Sequence, residues 1–145
     1  MSRVTTEIGF FQHGNALQAA SLNGKEEIVR LLLKNGAVVN KEGGVYGYAL
    51  QAASYEGHEV IVKLLLENGA EVNAGGGKYG NALQAASCGG QEAIVILLLD
   101  NGADVNAGGG EYRNALEAAS YEGYEAIVEL LTENGAEAIL DGDDQ

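Results

Sequence analysis

The sequence has no proline, no tryptophan and a single cysteine, Cys88, among its 145 residues. One cysteine excludes an internal disulfide framework, so a reducing, cytoplasmic location is the expectation. The longest strongly apolar run, residues 93–99, is far shorter than the roughly 20 residues that a membrane-spanning helix needs. The first residues also lack the apolar core of a signal peptide. We therefore expect an intracellular protein that has no membrane partner.

Basic residues are scarce: eight Lys and Arg stand against 21 Asp and Glu, which gives a formal net charge of −13. Binding a phosphate backbone needs Lys and Arg, so this balance argues against a nucleic-acid partner and against an anionic membrane surface. The acid is concentrated in residues 110–142, which hold eight acidic residues and one basic residue. Either this end is a solvated terminal face, or it is an acidic docking surface for a basic partner.

Residues suited to catalysis are few and scattered. His13 and His58 lie far apart, and neither has a carboxylate or a cysteine at metal-ligand spacing. Cys88 has no neighbouring cation in the sequence that would lower its thiol pKa. We therefore expect no enzyme activity, no cofactor, no metal site and no small-molecule substrate.

What the chain does contain is one pattern repeated every 33 residues. GNALQAAS begins at 14, GYALQAAS at 47, GNALQAAS at 80 and RNALEAAS at 113. In three copies an asparagine precedes the alanine-rich stretch, as a helix N-cap does. A glycine turn follows, then a second helical stretch that starts with Glu and ends in Asn-Gly, where glycine suits a left-handed helix end. The pattern predicts helix–turn–helix units, each followed by a loop.

Such units cannot bury their wide apolar stripes alone, and they form one core when they are stacked. We therefore predict an all-α solenoid. Its four units span residues 11–43, 44–76, 77–109 and 110–142, between an N-terminal extension or partial cap at 1–10 and an acidic tail at 143–145.

The stretch AGGGKYGNALQ, residues 74–84, has the glycines and the lysine of a phosphate-binding loop. The position of Lys78, however, is Val45 in the preceding unit and Glu111 in the following one. Glutamate carries the wrong charge for a phosphate site, so the stretch is interpreted as a structural joint. Its glycine triplets predict loop tips that are mobile and poor in side chains, hence weak anchors for a partner.

The chain resembles the ankyrin repeat family over residues 11–142. NGAEVNA (68–74) and NGADVNA (101–107) are similar to the family's loop signature, and EEIVRLLL (26–33) is similar to its second helix. NALQAAS stands in place of the usual TPLHLAA, and the resemblance is strongest to glycine-rich ankyrin arrays of fungal proteins. Gln is expected to keep the hydrogen bonds that the family's histidine makes between units. Tyr48 cannot cap its helix, and Glu117 can only accept when it is ionised.

The end units depart from the internal ones. Thr132 replaces a leucine and the loop at 137–140 reads EAIL, which predicts a C-terminal cap with a more polar outer face. Val4 and Ile8 are expected to fold over the first unit; otherwise the chain is a piece cut from a longer array.

The resemblance implies a protein-binding module that uses a concave face made of loop tips and first-helix ends. Candidate partner-binding residues are those that vary between units. At the first-helix ends they are Leu22, Asn23, Tyr55, Glu56, Cys88, Gly89, Tyr121 and Glu122. At and beside the loop tips they are Gln12, Val45, Lys78, Glu111, Tyr46, Tyr79 and Tyr112, and after the turn Lys25, His58, Gln91 and Tyr124.

For Tyr46, Tyr79 and Tyr112 the alternative is that they pack under their own loops as spacers. For Tyr55 and Tyr121 we expect exposure, and Cys88 is expected to be a neutral contact residue.

The leading hypothesis is a monomeric, non-catalytic module for an unidentified protein partner. The alternative is a spacer, a consensus-like or engineered scaffold, or a fragment of a larger array that has no dedicated ligand. A third hypothesis is that the chain is a substrate for asparagine hydroxylation, because Asn40, Asn73 and Asn106 stand where some ankyrin repeats are hydroxylated.

Overall fold

The computed structural model describes residues 15–139, which form eight helices in four antiparallel pairs. No strand occurs among these residues, so the prediction of an all-α stack of helix–turn–helix units is confirmed. Gln12, His13, the extension at 1–10 with Val4 and Ile8, and the tail at 143–145 lie outside the described residues. The helices are α1 (Ala16–Leu22), α2 (Glu26–Lys34), α3 (Ala49–Glu56), α4 (Glu59–Glu67), α5 (Ala82–Cys88), α6 (Glu92–Asp100), α7 (Ala115–Glu122) and α8 (Glu125–Glu133).

In three of the four units the first helix begins directly after a capping asparagine. The side chains of Asn15, Asn81 and Asn114 each accept a hydrogen bond from the backbone N–H three residues on, as predicted. In the second unit Tyr48 makes no capping bond, and its hydroxyl donates to Glu42 Oε2 at 3.2 Å. Local side-chain chemistry therefore sets these helix starts, and α3 begins without that support.

Glycines in the left-handed region end the helices. Gly57 closes α3 at φ +86°, and Gly69 follows the end of α4 at φ +91°. A non-glycine residue in that region costs roughly 1–2 kcal/mol because its Cβ meets the following carbonyl oxygen. The Asn-Gly pairs therefore mark helix ends, as predicted, and not β-hairpins.

One apolar core runs through all four units. Leu50, Leu83, Val62 and Val95 are each at most 2 % exposed and belong to a single buried cluster. The first helices of neighbouring units pack directly on one another, and their alanines leave room for this close approach. Burying a Leu or Val side chain contributes about 1.5–3 kcal/mol, so the junctions between units carry much of the stability.

Glutamine side chains on the first helices donate hydrogen bonds to backbone carbonyl oxygens in the loops near the start of the next unit. Gln51 Nε2 donates to the carbonyl oxygens of Ala74 at 3.0 Å and Gly80 at 3.1 Å. Gln18 makes the equivalent two bonds, to Lys41 and Gly47, which confirms the expected role of this residue between units. Gln84 Nε2 donates instead to the Gly109 carbonyl oxygen in the loop of its own unit. Glu117 holds the corresponding position in the fourth unit and accepts from Arg113 Nε at 2.9 Å.

A second ladder of side-chain amides ties the loops to the next unit. Asn40 Nδ2 donates to the Gly69 carbonyl oxygen at 3.0 Å, and Asn40 Oδ1 accepts from the Glu71 amide at 2.9 Å. Asn73 and Asn106 repeat both bonds one unit further along. These three amides therefore hold the stack in register.

The glycine-rich loops are packed against each other backbone to backbone. The Lys78 amide donates to the Val45 carbonyl oxygen at 2.8 Å, and the Glu111 amide donates to the Lys78 carbonyl oxygen at 2.9 Å. A Cβ atom at Gly77 would lie 2.5 Å from the Gly47 amide nitrogen. The prediction of loosely held tips is therefore wrong, because these glycines allow a close approach that supports each tip on the one before.

Candidate functional site

Five tyrosines beside the loops and at the first-helix ends form a surface that we call the tyrosine face: Tyr46, Tyr55, Tyr79, Tyr112 and Tyr121. The rings of Tyr55 and Tyr79 stack with centroids 4.4 Å apart and planes 11° apart, and Tyr46 lies 5.8 Å from both. The rings of Tyr112 and Tyr121 are 5.4 Å apart and tilted by 47°. The sequence placed these residues near one another, and the structure brings them together in two groups.

Within the first group the tyrosines act largely as packing residues. Tyr79 is buried against Ala85, Cys88 and Ala118, as the spacer interpretation predicts. Tyr55 is half-buried because Tyr79 of the next unit stacks on it, so the expectation of an exposed Tyr55 is wrong. Burial, followed by a hydrogen bond to Tyr55, raises the pKa of Tyr79 far above its usual value.

Tyr121, in contrast, is 78 % exposed. It occupies the position of Tyr55 in the fourth unit, and no described unit follows to stack a tyrosine on it. Its neighbour Tyr112 donates a hydrogen bond from its hydroxyl to Glu122 Oε1 at 3.0 Å. That bond, together with burial, raises the pKa of Tyr112 well above its usual range. The expectation that Tyr121 is exposed is confirmed, and its role in binding stays a prediction.

Cys88 is not available as a contact residue, because its side chain is only 7 % exposed. It lies in a buried cluster with Tyr79 of its own unit, and Tyr112 of the next unit packs against that cluster. Burial raises the pKa of the Cys88 thiol, which keeps it protonated and unreactive at neutral pH. Its neighbour Gly89 lies so close to Tyr55 that a Cβ atom would overlap the Tyr55 carbonyl oxygen.

Two of the candidates after the turn belong to the framework. His58 Nε2 lies 3.0 Å from the Leu22 carbonyl oxygen, and Gln91 Nε2 donates to the Tyr55 carbonyl oxygen at 3.1 Å. Each side chain joins the start of a second helix to the end of the preceding unit's first helix. Sequence reasoning missed these two hydrogen bonds between units, although polar side chains recur at this position in two successive units. His58 and Gln91 therefore have a structural role, and their contact with a partner stays a prediction.

The remaining candidates are accessible to different degrees. Leu22 is half-buried, and Tyr124 lies over Gly90, where a Cβ atom would come within 2.8 Å of its ring. Exposed candidates are Asn23, Lys25, Val45, Glu56, Lys78, Glu111 and Glu122. Three of these, Val45, Lys78 and Glu111, form one continuous row because the loop-to-loop hydrogen bonds join them. Lys78 Nζ lies 5.4 Å from the centre of the Tyr79 ring.

A groove of about 590 Å³ opens beside Tyr121 on the fourth unit. It lies between α7 and the segment at 138–139, and apolar and acidic side chains share its walls. Sequence reasoning missed this groove, although Leu116 repeats the position of leucines that are buried in the first three units. The lining residues are Glu111, Tyr112, Leu116, Glu117, Ser120, Tyr121, Ala138 and Ile139.

The part of the chain between residues 15 and 139 holds no group of three or more His, Cys, Asp or Glu side chains that is arranged to bind a metal ion. Over the same residues no helix has the length and apolar character needed to cross a bilayer. What this surface offers is exposed tyrosine, carboxylate and fixed loop backbone, which are groups suited to contact with another macromolecule.

Comparison with known families gives a match to the model for ankyrin repeats, which describes three copies, over residues 4–76 and 73–141. A search of curated protein sequences gives no match. Ankyrin repeats are generally protein–protein interaction modules and are typically non-catalytic.

Proposed function

Because the chain belongs to the ankyrin repeat family, we propose that it is a non-catalytic module that binds a protein partner. The binding face is the row of loop tips with the ends of the first helices, centred on Tyr121. The partner contacts the exposed members of the candidate set, whereas Cys88, His58, Gln91 and Tyr79 hold the scaffold behind them.

The observation that carries this proposal is the exposure of Tyr121, whose equivalents in the other units are half-buried (Leu22 and Tyr55) or buried (Cys88). Tyrosine is enriched at binding hot spots because it offers a large, rigid surface with a polar tip. Here Tyr121 adjoins Tyr112, Glu122 and the groove, so an apolar side chain and a hydrogen-bond donor of a partner would both find a counterpart.

The packed loops add to this argument. A tip whose backbone is already hydrogen-bonded to its neighbour loses little freedom when a partner binds, so less free energy is spent on ordering it. Val45, Lys78 and Glu111 therefore extend the binding face along the stack, with a different side chain at each tip.

The proposal is tested by capture from native lysate on the immobilised chain, with Tyr121→Ala as the variant. Ile96→Ala is the control, because Ile96 is an exposed apolar residue on α6, away from the tyrosine face. Proteins held by the original chain and by the control but lost by Tyr121→Ala would support the proposal. Circular dichroism of both variants establishes that they are folded.

Two results would count against it. If no protein is specifically retained, the chain is better described as a spacer or scaffold without a dedicated ligand. If Tyr121→Ala retains the same proteins as the original chain, binding takes place elsewhere and the tyrosine face is not the site.

A further inference from the structure

The two ends of the described array expose complementary halves of the contact that joins its internal units. We call the surface of the first unit that faces away from the stack the rear face, and the corresponding outward surface of the fourth unit the front face. The rear face is formed by Ala16, Ile28 and Leu31, and the front face by Leu116, Ser120 and Tyr121.

The rear face exposes apolar residues whose equivalents in other units are buried. Ile28 is 48 % exposed, whereas its equivalents Ile61, Ile94 and Ile127 are 2 % exposed against the preceding unit. Leu31 is 59 % exposed, whereas its equivalent Leu64 is 9 % exposed. An apolar surface of this kind is typical of a protein contact that is left open.

The front face shows the matching half. Leu116 is half-buried, although the leucines at the same position in the other units are at most 3 % exposed. Ser120 is exposed, whereas Ser21, Ser54 and Ser87 are completely buried. Leu116, Ser120 and Tyr121 all line the groove beside α7. The groove therefore occupies the place where a following unit would pack.

The front and rear faces stand at opposite ends of one molecule, so they can meet only between two molecules. We propose, beyond the function proposed above, that the array self-associates head to tail, with the front face of one copy packed on the rear face of another. Because Tyr121 belongs to both surfaces, a second copy and a protein partner would compete for it. This contact reuses the geometry of the internal junctions, which the chain already forms three times.

Charge favours this arrangement over the alternatives. Residues 15–43 carry four basic and three acidic side chains, whereas residues 110–139 carry seven acidic side chains and Arg113. The first unit thus carries a net charge of +1 and the fourth a net charge of −6 over these residues, so a front-to-rear contact brings units of opposite charge together, whereas two front faces would bring two acidic units together. Lys41 stands beside the rear face with Leu17 and Val38, around a small hollow of about 200 Å³.

The contact is weaker than an internal junction. Within the stack, Gln18 and Gln51 each donate a hydrogen bond to a carbonyl oxygen of the next unit, but Glu117 cannot donate when ionised and is bonded to Arg113. Association is therefore expected to be reversible and to depend on concentration, with monomers in dilute solution. Because head-to-tail contacts leave one face free at each end, they produce short open chains and not a closed dimer.

The test is sedimentation velocity of the full chain over a hundredfold range of concentration. Two exposed substitutions block one face each: Leu31→Glu on the rear face and Ser120→Arg on the front face. Ile96→Glu is the matched control, because it adds a charge at a position that is exposed in every unit. The original chain and the control are expected to show a sedimentation coefficient that rises with concentration, and each blocked variant is expected to remain a 15.0 kDa monomer.

Mixing the two blocked variants gives the decisive result. The open front face of Leu31→Glu then meets the open rear face of Ser120→Arg, so an equimolar mixture forms a dimer of twice the monomer mass and nothing larger. A monomeric original chain, continued association of either blocked variant alone, or a mixture that stays monomeric would each overturn the proposal.

Discussion

Three glycines in or near the loops allow the contribution of loop stacking to be separated from backbone strain. Gly77 has φ +75°, and a Cβ atom added there would overlap the backbone of Tyr46 and Gly47 in the preceding loop. Gly69 has a similar φ of +91° but no atom within 4 Å of where a Cβ would stand. Gly75 has neither a positive φ nor a close neighbour. Alanine at each position therefore adds one physical effect at a time.

The expected changes follow from these differences. Gly75→Ala should leave the free energy of unfolding unchanged or raise it by about 0.4–1 kcal/mol, because alanine restricts the unfolded chain. Gly69→Ala should lower it by roughly 1–2 kcal/mol through backbone strain alone. Gly77→Ala carries the same strain and also forces the loops apart. That separation breaks the hydrogen bond from Lys78 to Val45, so the loss should reach about 2–4 kcal/mol.

Urea denaturation followed by circular dichroism measures all three variants against the original chain. The comparison that matters is Gly77→Ala with Gly69→Ala, because strain is common to both. If the two variants lose the same stability, loop stacking contributes nothing measurable and the packed-loop description of the binding face is refuted.

Two further predictions concern buried groups. The Ser54 hydroxyl is fully buried and makes no hydrogen bond, so Ser54→Ala should raise the free energy of unfolding by about 1 kcal/mol. Exposed Ser120→Ala should change it by less than about 0.5 kcal/mol, and a destabilised Ser54→Ala in urea unfolding would contradict the reasoning. The raised pKa of Tyr79 makes the folded state hold its proton more tightly than the unfolded state, whose pKa is about 10. The contribution of Tyr79 to stability should therefore be complete below pH 10 and fall as pH rises further, and Tyr79→Phe should reduce that fall in urea titrations.

Much of the fold could be predicted because it rests on chemistry within one unit. Asn15 caps the helix that follows it, and Gly69 ends the helix that precedes it, so residue type and spacing were sufficient. The role of Gln51 between units also followed, because an amide can both donate and accept and recurs once per unit.

The candidate site was harder to predict because its exposure depends on the distance between units. A period of 33 residues shows that Tyr55 and Tyr79 belong to adjacent units, but not that their rings stack. In the same way it could not show that Cys88 is covered or that His58 reaches back to Leu22. The glycine loops were misread for a related reason, since glycine permits both mobility and close packing, and only the neighbouring backbone decides between them.

Because the junctions between units resemble one another, the number of units in such a chain can change during evolution. Units 44–76 and 77–109 agree at 24 of 33 positions, and each is joined to the following unit through the same asparagine bonds. Recombination between two such similar stretches would add or delete whole units, and every new junction would find its partners already in place. Copy number can therefore drift while the scaffold stays intact, and each added unit would bring one more loop tip on which selection can act.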